Sequence, residues 1–382
     1  MFIYLIIYLP FIFCAYYDFL KTSPKQKNGI LWVWVIVFTL FRGLRWDTGT
    51  DWDQFLEVYQ HAHWDNIFSY YRNETEQLMD YGYMFINALF NEEGFPYTTF
   101  LLVTNFWIMW CYKDFSMRHT KYPILTFILI MNMGVPFPVR QTIAFATSIW
   151  GYRFAVEKKW VIFIIIETIA SLIHKGSIIC LLVILVPYII EKWRVKWYIY
   201  AIAYASTFVI AKVFSNYISL IMMLVAGSDS QLGVYGEAYM KNQSLSIDYG
   251  DYNSSMMNGL GYTFFFAVLL WIREKYYPIC NIKIKYFESF FFLYVFVALM
   301  ENIVRQGSQS GMTEVLGRVT GTLDMFPLVF PLIFTLFLPR YIKDIRIVFL
   351  LFFVYMLYKY WQQIPGGFYH DLFIPYKSVI GL

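Results

Sequence analysis

Eleven apolar runs, parted by short polar connections, constrain this chain more than any other feature. They cover residues 2–17, 29–41, 96–112, 122–135, 141–156, 160–190, 197–225, 258–272, 286–303, 322–338 and 347–360. Inside lipid, only a helix or a closed barrel satisfies the backbone, and runs of this length read as helices. Several fall short of the ~20 residues a straight crossing of a ~30 Å core needs, so the helix limits are set only to within several residues. The composition agrees: 59% hydrophobic and 15% charged, against about 45–50% and 25% for soluble domains.

The connections are basic every second time. Segments 21–27, 113–121, 153–159, 192–196, 273–285 and 340–346 hold 19 of the 30 Lys and Arg, which places them on the cytoplasmic side. Segments 42–95, 135–140, 226–257, 304–321 and 361–382 then face outward. The first run has no basic residue before it and Lys21, Lys25 and Lys27 after it, so it reads as a retained span with its N-terminus outside. Run 160–190 is basic on both flanks and interrupted by His174, Lys175 and Gly176. Each limb of about 14 residues spans roughly 20 Å of helix, which predicts a hairpin with its tip at or just under the outer interface.

The expectation is an all-α integral membrane protein of about 12 transmembrane or membrane-embedded helices in a single polytopic domain, residues 1–382, with both termini outside. Within the outer loop 42–95, Phe55, Tyr59 and Ala62, then Leu78, Tyr81 and Phe85, recur at helical spacing and predict amphipathic helices on the membrane surface. The outer loop 226–257 is rich in Ser, Gly, Asn and Tyr and reads as a lid. The net charge of +4 is small and spread out, which argues against a nucleic-acid surface. Cys14, Cys111, Cys180 and Cys280 lie in apolar runs or on the cytoplasmic side, so no disulfide framework is implied.

All the polar clusters fall outside. Residues 41–53 carry Arg42, Arg45, Asp47, Asp51 and Asp53 between Trp46 and Trp52. Arg42 and Arg45 suit phosphate oxygens through the forked guanidinium, or else pair with headgroups or carboxylates such as Asp47. Asp51 and Asp53 have a metal-binding spacing, but Thr50-x-x-Asp53 is also a capping box, and acids are favoured in a first turn. His61 and His63 lack a third convergent ligand, and no metal site is assigned. Arg140, just after Pro136-Phe137-Pro138, opposes the dipole of the helix it begins and with Gln141 reads as an anion site. His174 with Lys175 marks the broken hairpin. Glu167, Ser171 and His174 share one helical face, so Glu167 orients the imidazole or pairs with Lys212. Arg305 and Arg318 bracket a further outer loop, each four residues after an acid, Glu301 and Glu314.

With these clusters in place, the chain resembles the EpsG family of polysaccharide polymerases, functional relatives of the Wzy-type O-antigen and capsule polymerases. The matching stretches are FRGLRWDTGTDW at 41–52, MDYGYMFINALF at 79–90, PVRQTIA at 138–144, SLIHKGS at 171–177, and more loosely GRVTGTLDMFP at 317–327 and IPYKS at 374–378. The resemblance implies a GT-C-like polymerase architecture at the outer face of a bacterial inner membrane. It implies transfer of a glycan from undecaprenyl diphosphate to the terminal sugar hydroxyl of another lipid-linked repeat unit, with no cofactor and with a chain-length regulator as a further partner.

On that reading, Arg42, Arg45 and Arg140 bind the diphosphate, and Arg305 or Arg318 covers the second lipid-linked substrate. His174 is the first choice of general base and Asp51 or Asp47 the second, supported by Lys175, Gln141 and Glu167. A lipid-linked-glycan flippase and an O-acyltransferase built round His174 remain as alternatives. A flippase predicts charges through both halves of the membrane; an acyltransferase predicts dependence on an acyl donor.

Overall fold

The computed structural model describes residues 2–20, 22–49, 52–72, 77–131, 139–193, 195–226, 256–279, 284–306, 321–363 and 370–381. Among these the protein is helical, apart from a two-residue ribbon in which β1 (Tyr71–Arg72) pairs antiparallel with β2 (Gln77–Leu78).

Over their described residues the apolar runs are mostly helical. In chain order these are α1 (Phe2–Cys14), α2 (Tyr16–Phe19), α3 (Pro24–Gly43), α4 (Trp52–Gln60), α5 (Tyr81–Glu92), α6 (Tyr97–His119), α7 (Pro123–Met131), α8 (Val139–Val156) and α9 (Trp160–Ile173). A 3₁₀ segment, Lys175–Ile184, follows, then α10 (Val186–Lys192), α11 (Trp197–Ala226), α12 (Met256–Trp271), α13 (Phe287–Gln306), α14 (Phe326–Val329), α15 (Ile345–Gln363) and α16 (His370–Phe373). Several run past the apolar limits because their ends carry polar turns. In α3, Ser23 and Gln26 close a capping box ahead of Pro24. At its other end Gly43 lies so close to α6 that a Cβ there would sit 2.9 Å from the Leu102 Cα.

Among the described residues two stretches, Gly321–Arg340 and Ile345–Gln362, are by length and apolarity alone sufficient to cross a membrane. The first is not one straight helix. It passes through a 3₁₀ turn, α14, a π turn at Ile333–Phe337 and a second 3₁₀ turn. Pro327, Pro331 and Pro339 each remove a backbone donor and account for the breaks. The run 160–190 folds as a hairpin: His174 leaves the helix at φ −152°, ψ 113°, and the 3₁₀ limb packs back on α9. On α9, Val161, Ile165, Ile169 and Leu172 form an exposed aliphatic stripe, while Phe163, Ile166, Glu167 and Ala170 face the bundle.

The six basic connections gather at one end of the bundle and bond to one another. Lys27 Nζ donates to the Lys121 carbonyl at 2.9 Å, Arg153 pairs with Asp114, Lys285 with Glu157, Lys158 with Glu191, Arg273 Nη2 reaches the Val195 carbonyl, and Tyr276 meets Tyr341. At the opposite end the two chain termini meet: the Tyr4 hydroxyl donates to the Phe373 carbonyl at 2.9 Å, and Tyr376 stacks on Phe41.

Among the described residues, the segment 42–95, expected to face outward, contains the two helices α4 and α5. Phe55, Tyr59 and Ala62 turn inward as their spacing predicts. The second set does not: Leu78 lies in β2, Tyr81 and Phe85 are exposed, and the inward face of α5 is Tyr83, Met84, Asn87 and Ala88. The helix begins only at Tyr81, which shifts the buried face by two to three positions. The lid segment at 226–257 lies outside the described residues but for Ala226, Met256 and Met257.

Candidate functional site

The loop after α3 is tied to the C-terminal strand-like segment. Trp46 N donates to the Lys377 carbonyl, Val379 N to the Leu44 carbonyl, and Lys377 N to Thr48 Oγ1 at 3.0 Å. Thr48 Oγ1 in turn donates to the Trp46 carbonyl. Asp47, at φ 42°, forms an ion pair with Lys377 and is exposed. Arg45 is buried within this knot. Its Nη1 donates to the Thr48 carbonyl at 3.3 Å, and its guanidinium lies over the Trp52 ring. Burial pushes it down to about 10, where it still carries its charge at neutral pH. Arg42 is also buried: it hydrogen-bonds the Tyr8 hydroxyl, lines a cavity, and lies near enough for its charge to act on Arg45.

The second and third clusters meet, and they meet on a residue that sequence reasoning did not single out. Asp80 is 5% exposed; its Oδ2 lies 3.1 Å from Arg140 Nη1 and 3.7 Å from His174 Nδ1, and its Oδ1 lies 3.9 Å from Lys175 Nζ. Asp80 is the N-cap residue of α5, Arg140 stands in the first turn of α8, and His174 precedes the 3₁₀ limb. Three helical starts thus converge, and His174 is at the same time the C-cap of α9, whose terminal carbonyls bring the opposite partial charge. Although Asp80 holds the cap position, its carboxylate makes no capping bond. A capping aspartate contributes about 1 kcal/mol, and here that is forgone for contact with three basic side chains.

The backbone enforces the approach. A Cβ on Gly82 would lie 2.8 Å from the carbonyl carbon of Leu172, so only glycine lets α5 pack this closely on the end of α9. Asp80 and His174 flank that contact. The signal available in sequence was a lone acid in the stretch MDYG directly before an apolar helical run.

Of the two partners considered for Glu167, His174 is turned toward Asp80 and the Lys212 side chain lies outside the described residues. Glu167 Oε2 accepts from Ser148 Oγ on α8 at 2.9 Å. Asp51 and Arg318 lie outside them altogether, as does the Arg305 side chain. Asp53 stands in the first turn of α4. His61 Nδ1 bonds to the Glu57 carbonyl and His63 pairs with Glu92, so the two histidines are committed separately. Among the described residues no group of three or more metal-ligating side chains converges.

Arg42, Gln141 and Phe145 line a cavity of about 700 Å³ inside the bundle. Phe145 also meets the His174 ring edge-on, with centroids 6.0 Å apart. Phe145 is thus shared between the cavity lining and the surroundings of His174.

A bundle of apolar helices with its basic connections at one end and a buried ionic cluster set among helix starts at the other is a helical membrane protein. The chain belongs to the EpsG family, whose model matches residues 28–378, a family of membrane polysaccharide polymerases. The match takes in every motif on which the resemblance rested. No curated protein and no solved structure matches the chain significantly.

Proposed function

We propose that the chain polymerises a polysaccharide as an inverting glycosyltransferase at the outer face of a bacterial inner membrane, which it crosses several times. Its donor is a glycan on undecaprenyl diphosphate and its acceptor the terminal sugar hydroxyl of another lipid-linked repeat unit. The observation that carries this reading is the Asp80 cluster. Three basic side chains and three helical starts surround one carboxylate, leaving a net positive site beside the membrane.

In the reaction the acceptor oxygen forms a bond to the anomeric carbon. The bond from that carbon to the diphosphate breaks, and the electron pair leaves with the lipid diphosphate. Arg140 and Lys175 stabilise the charge that develops on the leaving oxygens, with Arg42 next along the path to the cavity. His174 takes the hydroxyl proton. Asp80, whose Oδ2 lies 3.7 Å from Nδ1, favours the imidazolium as it forms through its charge. Asp47 and Asp51 rank behind His174 as base, because Asp47 is paired with Lys377 in the loop knot. Arg305 and Arg318 are assigned to the second lipid-linked substrate.

The test is incubation of purified, reconstituted protein with a defined lipid-linked repeat unit, with and without chelator. A glycan ladder in both conditions is expected, and its loss in Arg140→Ala and His174→Ala. Movement of the substrate across the bilayer with no lengthening would make the protein a transporter, and a requirement for an acyl donor would make it an acyltransferase.

A further inference from the structure

The basic end of the bundle carries one cluster whose charges do not cancel. On α6, Asp114 Oδ2 accepts from Arg118 Nε at 2.7 Å and from Arg153 Nη1 of α8 at 3.2 Å, so two guanidinium groups share one carboxylate. Lys113, the residue before it, has no acidic partner among the described residues. Its Nζ lies instead 4.4 Å from the centroid of the Trp32 ring on α3. Arg118 is near enough for its charge to act on both Lys113 and Arg153. Glu157, the next acid along the chain from α8, offsets none of this surplus, because Lys159 holds it at 2.9 Å and Lys285 at 3.3 Å. Elsewhere at this end the bases are matched: Lys27 by Asp18, Lys158 by Glu191, Arg273 by Glu288 and Arg346 by Asp344. The excess of positive charge is therefore local to α6 and α8.

A second observation points to an acceptor at the same place. Arg153 Nε and Trp150 Nε1 are buried and have no hydrogen-bond partner among the described residues. Three positions apart, they lie on one face of α8. The Arg153 guanidinium is held over the rings of Trp150 and Phe154, at 4.6 and 4.3 Å from their centroids. Trp110 and then Trp107 extend this half-buried aromatic wall deeper along α6, with centroids 5.7 Å and 5.1 Å apart in turn.

Cations at the end of a membrane bundle, with indoles just below them, match the two levels of a phospholipid headgroup region. A zwitterionic lipid brings a cation of its own, which the surplus repels. An anionic lipid brings phosphate oxygens for the guanidinium groups and a glycerol backbone for the indoles. A soluble anion would meet the same cations but leave the aromatic wall unused.

We infer that the surface between the basic ends of α6 and α8 binds an anionic phospholipid, with Lys113, Arg118 and Arg153 on its phosphate and Trp110 and Trp150 against its glycerol. This rests on the chain's place in a membrane and not on the polymerase reading.

The experiment is native mass spectrometry of the purified full chain titrated with phosphatidylglycerol, with phosphatidylcholine of the same acyl chains as the second probe and inorganic phosphate as a competitor. Wild type is expected to hold phosphatidylglycerol about tenfold more tightly than phosphatidylcholine and to keep it against excess phosphate. Lys113→Gln and Arg118→Gln should each weaken that binding about fivefold, the scale of one basic residue at a lipid surface. Asp114→Asn should tighten it, because the competing carboxylate is gone. Arg346→Gln, a matched base at the same end, should leave it unchanged. Thermal unfolding is followed in every variant, and Lys113→Gln leaves no acid unpaired. Equal retention of the two lipids, displacement by inorganic phosphate, or binding indifferent to both cation variants overturns the inference. So does an equal fall in Arg346→Gln, which would mean general surface charge, or a fall in Asp114→Asn, which would make the cluster a packing element alone. Binding is read without glycan transfer, so a missing ladder leaves this site standing and its failure leaves the polymerase reading untouched.

Discussion

Asp80 lies 3.1 Å from Arg140 although 60 positions of chain separate them, and it makes that contact from a cap position whose own helix it leaves uncapped. The pair is therefore more than a local charge match. It joins α5 to α8, and with His174 and Lys175 on the hairpin it fixes three elements around one point.

Deleting one member of this pair should affect stability and activity differently. Asp80→Ala leaves Arg140, Lys175 and His174 facing one another, and Arg140 is only partly accessible, so a loss of about 2 kcal/mol is expected. The double variant Asp80→Ala/Arg140→Ala should recover part of that stability, because the unpaired cation goes too. Polymer synthesis should fall on the order of 10²–10³-fold in either single variant and stay low in the double. Thermal unfolding in detergent and polymer length in cells read the two effects. Normal polymer in the double variant would remove the cluster from the mechanism.

Gly82 offers a separate handle on the same geometry. Alanine there puts a Cβ 2.8 Å from the Leu172 carbonyl carbon, a backbone atom that cannot rotate away. The expected result is a shift of α5 from the end of α9, which parts Asp80 from His174. A displacement near 1 Å in such a site costs roughly 10²-fold in rate. Gly82→Ala should thus lower kcat well beyond what its change in thermal stability explains. Wild-type kcat in that variant would show that the close approach serves packing alone.

How much of this was legible beforehand differs between elements for physical reasons. The run 160–190 disclosed its hairpin because two basic flanks and a mid-run His174-Lys175-Gly176 leave no other way to return the chain. Arg140 was legible because a cation in a first helical turn works against the dipole. Asp80 was not, since an acid before a helix has a ready explanation as a cap, and only coordinates show that its carboxylate turns elsewhere. The same holds for the surroundings of Arg42 and Arg45. Three positions apart, they share a helix face in the sequence, but α3 ends at Gly43, and past it Arg45 enters the knot while Arg42, still near enough to act on it, lines the cavity. The broken course of 322–338 was announced by its prolines, yet a run that apolar was read as one span. The face of α5 differs from the one apolar spacing predicts because the helix begins only at Tyr81, after the β2 ribbon at Gln77–Leu78 and the extended Asp80.

The knot between the outer loop and the C-terminal segment should be a stability element. Thr48 is buried; its Oγ1 accepts from Lys377 N at 3.0 Å and donates to the Trp46 carbonyl at 2.9 Å. Thr48→Val keeps the shape and removes both bonds, leaving two backbone groups to seek other partners, at a cost of about 1–3 kcal/mol. Limited proteolysis should then cut sooner near residues 374–381, with thermal unfolding lowered in step. Arg45→Lys, which loses the Nη1 bond to the Thr48 carbonyl and the planar guanidinium over Trp52, should move in the same direction. If either variant abolished synthesis with unfolding and proteolysis unchanged, the arginine would have a role at the substrate instead.

At the basic end, His119 gives the fold a pH dependence of predictable sign. It is the last residue of α6, and its ring lies between Phe115 and Phe290 with centroids at 4.8 and 4.9 Å. Burial first, and the nearby Lys285 charge second, push it from its ordinary value of 6.5 down to about 4. Above pH 6.5 the folded and unfolded chains both carry a neutral ring, and it contributes nothing to the slope. Between 6.5 and about 4 only the unfolded chain takes up the proton, so stability falls as pH falls and levels off below about 4. The full span is on the order of 3 kcal/mol, and roughly 2 kcal/mol is lost by pH 5. His119→Phe keeps the aromatic packing and removes the titrating group. Its unfolding temperature should drop less than that of wild type between pH 7.5 and pH 5. Equal drops in the two proteins would mean that His119 is not buried neutral and that other groups set the acid response.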